Sequence, residues 1–95
     1  EYIPSYTGAV GLLEVQGFVA SIEGLDSMAK AADVRLIHTE RRLGGRLCTL
    51  MIAGSVSNVK AALEAGREKA LELGKVYGCE TIANISGEVV KFFDA

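Results

Sequence analysis

Ninety-five residues with a formal net charge of -2 and a pI near 5.3 are expected to form one domain, and they exclude a broad nucleic-acid-binding face. Hydrophobic residues are 49% and charged residues 23%, yet the mean hydropathy of +0.28 is high for so small a domain and predicts surface covered by partners. No apolar stretch approaches the ~20 residues of a membrane span, no signal peptide is expected, and Cys48 and Cys79 are too few for a disulfide scaffold.

Residues 1–7, with the only proline, Pro4, read as an irregular extension whose Tyr2, Ile3 and Tyr6 dock on the body or on a neighbour. Residues 9–15 (AVGLLEV) are nearly all apolar, as in a strand buried on both faces. Phe18, Ile22, Leu25, Ala29 and Ala32 then recur at helical steps and predict a core-facing stripe over 18–32. On that helix Asp26 and Lys30 can pair at i, i+4. Residues 34–39 (VRLIHT) are a second strand and 47–53 (LCTLMIA) a third. Ser55 offers a helix cap. A second helix over 56–73 carries Val56, Val59, Leu63, Gly66, Ala70 and Leu73 on one face and ends at Gly74 as its C′ residue. Gly66 within that face predicts close approach to another element. A fourth strand lies within 76–85, centred on 81–85, and a short helix with Val89, Phe92 and Phe93 follows. This order fits an α/β (α+β) domain: a four-stranded, mainly antiparallel sheet with two main helices on one face and a ferredoxin-like layout. The expected core is 8–85, with 86–95 a helical tail.

Catalysis is not expected. His38, the only histidine, alternates with Val34 and Leu36 and reads as packed or edge-bound. Glu14 interrupts an apolar strand, but reads as a carboxylate satisfied by neighbouring amides or by a cation across a subunit boundary. No local nucleophile motif is present. The ligand set is too small for a metal, and no cofactor is expected. The cysteines read as buried free thiols.

The remaining anomaly is Arg41-Arg42-Leu43-Gly44-Gly45-Arg46, between the second and third strands. A hairpin needs only the glycines. The segment lacks both G-x-G-x-x-G and the P-loop pattern, and its glycines precede a strand rather than a helix, so a nucleotide cradle is disfavoured. An anion, or a pore or interface built from copies of the loop, accounts for the concentrated charge.

Taken together, several segments resemble the shell proteins of bacterial microcompartments, which tile carboxysomes and metabolosomes. Residues 9–17 (AVGLLEVQG) are similar to the family's opening A-x-G-x-I-E-T-x-G, and 26–34 (DSMAKAADV) to its D-x-M-x-K-A-A-x-V. Gly54-Ser55-Val56 stands where the family reads G-D-V, and Ala65-Gly66 where it reads A-G. The resemblance spans 8–84 and implies a structural protein, not an enzyme. It implies a homohexameric tile with a central pore, joined at its edges to other shell proteins in the bacterial cytoplasm, with encapsulated enzymes as further partners. The pore lining would be Arg42, Leu43, Gly44, Gly45 and Arg46, favouring small anions. Lys30, with Asp26 and Asn84, would lie at the tile edge. Arg46 departs from the family's usual glycine, and Ile82-Ala83-Asn84-Ile85 replaces its I-P-R-P. The rival class is a small-ligand-binding regulatory domain of ferredoxin-like layout, distinguished by a dimeric or trimeric mass.

Overall fold

The computed structural model of the protein describes residues 8–85 and Val89. The elements run β1 (Ala9–Gln16), α1 (Phe18–Ala31), β2 (Arg35–Arg42), β3 (Leu47–Gly54), α2 (Val56–Leu73) and β4 (Val76–Ala83). A single 3₁₀ turn, Leu43–Gly45, joins β2 to β3. The sheet order is β2-β3-β1-β4 with every pairing antiparallel. The expected extension 1–7 and tail 86–95 lie outside the described residues, apart from Val89, which is helical.

Period-2 alternation sorts β1 into two faces. Ala9, Leu13 and Val15 meet the helices with Cys48, Leu50 and Ile52 of β3 and Val59, Ala62, Leu63 and Ala70 of α2. On the opposite face Val10, Ile37, Met51 and Ala53 form a second cluster, with Leu12 and Ile85 packed against it. Apolar side chains on both faces explain why β1 and β3 read as unbroken apolar runs.

Helix α2 buries Val59, Leu63, Gly66 and Ala70 of its expected stripe, together with Ala62, whereas Leu73 is 48% exposed. Ser55 Oγ accepts the Asn58 amide N–H at 3.2 Å, the expected cap. Gly66 lies where α1 crosses: a Cβ there would stand 2.5 Å from Met28 Cγ and 3.2 Å from the Gly24 carbonyl oxygen. Gly74 departs from expectation. Its backbone is extended, not left-handed, and glycine is needed because a Cβ would sit 2.5 Å from the Gln16 carbonyl oxygen.

Three further expectations are corrected. The buried residues of α1 are Ala20, Ser21, Gly24 and Met28, whereas Phe18 and Ile22 of the predicted stripe are 47% and 48% exposed. Small residues at the Gly24–Gly66 crossing let the backbones approach, which leaves the larger side chains outside. Second, β2 is bulged between Leu36 and His38. Leu36 pairs with Ile52 and His38 with Met51, which are neighbours on opposite sheet faces, so Leu36 and His38 do not share one. Third, β4 spans Val76–Ala83 rather than centring on 81–85, and Val76 and Cys79 of its first half meet the core. Burial pushes the Cys79 thiol pKa up.

Candidate functional site

Strand β2 continues through Arg42, so the loop proper is shorter than its charge pattern suggests. Leu43 (φ 55), Gly44 (φ 68) and Gly45 (φ 92) all take positive φ. The glycines do this without a Cβ clash. Leu43 does not, and a left-handed conformation costs a side-chain-bearing residue roughly 1–2 kcal/mol. Leu43 is also 68% exposed, so burial does not offset that cost. The base of the loop is held firmly. The Gly17 amide donates to the Arg46 carbonyl at 3.0 Å, and the Cys48 thiol donates to the Gly45 carbonyl at 3.4 Å.

The three arginines diverge. Strand alternation sends Arg41 to the helix side, where its guanidinium carbon lies 5.0 Å from the Phe18 ring centroid, a cation–π geometry. Arg42 turns to the open face. Its Nε donates to Glu40 Oε2 at 2.6 Å, and a terminal guanidinium nitrogen bonds the same oxygen. Arg42 thereby holds the Glu40 carboxyl below its usual pKa. On the other side of Glu40, Oε1 is 3.8 Å from His38 Nε2. Arg46 donates from Nε to the Leu43 carbonyl at 3.4 Å, and among the described residues no carboxylate lies within ion-pair distance of it.

The expected pore residues therefore spread over three neighbouring depressions. Leu43 and Arg46 line a groove of about 510 Å³ with Glu14, Gln16, Leu47 and Tyr77. There the Tyr77 hydroxyl donates to Gln16 Oε1 at 2.9 Å. Gly44 and Gly45 border a second depression with Arg41 and Phe18. Arg42 belongs to a third, with Glu14, His38 and Glu40. Glu14 is satisfied by Thr49, whose hydroxyl donates to Oε2 at 3.2 Å from the neighbouring strand. The expectation from sequence did not include Glu40. Its signal was present: Glu40 precedes Arg42 by two on one strand and must share its face.

The expected edge residues lie elsewhere. Lys30 Nζ and Asp26 Oδ2 are 2.8 Å apart on the exposed side of α1, and that hydrogen bond raises the Lys30 pKa. Lys30 also lines a shallow groove between α1 and α2 with Glu68, Lys69 and Glu72. Asn84 follows β4 with φ 54, and its amide donates to the Gly8 carbonyl at 3.0 Å.

Residues 9–85 match the BMC domain family, and the chain belongs to it. The chain is a bacterial microcompartment shell protein, structural rather than enzymatic. It is 39% identical over 85 residues to bacterial microcompartment shell protein EutM of Salmonella typhimurium, covering 90% of this chain and 88% of EutM. It is 45% identical over 69 residues to carboxysome assembly protein CcmO of Synechococcus elongatus, covering 73% of this chain but 25% of CcmO. A crystal structure of a microcompartment protein from Desulfitobacterium hafniense superposes with a TM-score of 0.81 at 27% identity. That match covers 90% of this chain, which spans 46% of the solved chain's length.

Proposed function

We propose that this shell protein assembles as a cyclic hexamer whose 42–46 loops converge on a central pore for small anionic metabolites. The observation that carries the proposal is the loop itself: Leu43 is held at positive φ yet stands 68% exposed, which gains nothing for the isolated chain. A second copy at that surface would give the conformation a purpose. Exposed Phe18, Ile22, Leu36 and Tyr77 also leave apolar surface of the kind subunits cover.

The charge supports an anion-favouring constriction. Copies of Arg46 around one axis repel one another by about 0.4 kcal/mol per neighbouring pair at ~10 Å in water. Bound anions relieve that repulsion, and a positive mouth concentrates them. Lys30, with Asp26 and Asn84, is assigned to the tile edge, facing other shell proteins, with the assembly in the bacterial cytoplasm around encapsulated enzymes. Electron microscopy of the purified chain tests the assembly, and hexagonal tiles are expected. Anion passage through reconstituted shells tests the pore: Arg46→Ser should lower it, and unchanged passage removes the anion-selective part of the proposal.

A further inference from the structure

We propose that Glu40 is a latch that sets the loop's charge by holding Arg42 on the open sheet face, leaving Arg46 to act on anions at the loop mouth. For its consequence at a pore, this rests on the reading given above. The geometry itself lies within one chain.

Two nitrogens of the Arg42 guanidinium converge on Glu40 Oε2, one of them Nε at 2.6 Å. Two donors on one carboxylate oxygen fix the plane of the guanidinium as well as its position. Strand alternation places the two side chains together, because residues two apart in β2 project from the same face. The pair is also accessible: the Arg42 and Glu40 side chains are 67% and 43% exposed. It can therefore open without disturbing either core cluster. The groups facing Glu40 are Arg42 and His38 on its own strand, while Glu14 and Thr49 line the same depression from β1 and β3. Glu14 is already engaged by Thr49 and does not displace Glu40 as acceptor. Arg46 lines a different groove, beyond Leu43. The two arginines thus differ in kind: one is neutralised locally, and the other meets no carboxylate among the described residues.

The latch makes Glu40 a positioning residue for the specificity of the loop. Removing its charge should convert Arg42 from a paired group into a second free cation beside Arg46. Sulfate titrated into the full chain by calorimetry at low ionic strength tests this with wild type, Glu40→Gln, Arg42→Ser and the double variant. Glu40→Gln should bind sulfate about three- to fivefold more tightly, the scale of one exposed charge contact. The gain should vanish in the double variant. Equal affinities for wild type and Glu40→Gln overturn the proposal. So does a gain that survives in the double variant, which would assign the effect to the lost negative charge rather than to Arg42. Native mass of the same samples separates the two levels: failure to assemble counts against the pore, and unchanged sulfate affinity counts against the latch.

Discussion

Where α1 crosses α2, a Cβ on Gly66 would stand 2.5 Å from Met28 Cγ. At the turn between β2 and β3, a Cβ on Gly44 would meet nothing within 4 Å among the described residues. Both positions are glycine, for opposite reasons. The first glycine is imposed by neighbours already in place, so its contribution is to folding. The second is imposed by backbone conformation, with room for a Cβ among the described residues. A region shaped by its own packing explains itself within one chain. A region that carries positive φ, an exposed Leu43 and an Arg46 that meets no carboxylate among the described residues asks for something outside the chain.

If that contrast is right, substitutions at the two places must differ in size and in sign. Met28 is fully buried at the crossing, so Met28→Ala should lower unfolding free energy by about 3 kcal/mol in urea titrations. A loss below about 1 kcal/mol would show the crossing to be loosely packed. Gly66→Val should cost roughly 2 kcal/mol through overpacking against Met28 and the Gly24 carbonyl. Ser55→Ala removes the α2 cap and should cost about 1 kcal/mol, seen as a lower urea midpoint at unchanged slope. At the loop the sign should reverse. Leu43→Gly relieves the left-handed conformation and should leave stability equal or raised by about 0.5 kcal/mol, while weakening assembly. A clear loss of stability in the isolated chain would place the loop with the core and end the contrast.

The smallest effect concerns acid. Arg42 lowers the Glu40 pKa below its unfolded value. The pair's contribution is therefore fully present above that unfolded value, near 4.3, and is lost as pH falls through the folded value beneath it. Carboxyl carbon NMR of Glu40 should place its titration below the ordinary glutamate range, and Arg42→Ser should move it back up. A Glu40 titration unchanged by Arg42→Ser would mean that the latch is open.

The same contrast explains what could be seen in the sequence. Helix α2, its Ser55 cap and the close approach at Gly66 followed from periodicity, because that helix meets the interior with one consistent face. Helix α1 did not. Its buried residues are Ala20, Ser21, Gly24 and Met28; of the apolar stripe Leu25 and Ala32 pack against the core while Phe18 and Ile22 are exposed, so weighting by hydrophobicity finds only part of the interior face. The bulge in β2 was invisible because a single unpaired residue inverts alternation without a compositional mark. The family motifs drew attention to 42–46, and the glycines there have the backbone the loop requires. The dispersal of Arg41, Arg42 and Arg46 depends on β2 reaching Arg42, beyond the apolar run that marked the strand.

The central claim is that the loop is completed by copies of the same chain around one axis. Native mass spectrometry of the purified wild-type chain tests it most directly. The account predicts a dominant species at six times the 10.0 kDa chain mass, dissociating by loss of single subunits. A monomer, dimer or trimer as the dominant species at micromolar concentration would contradict it.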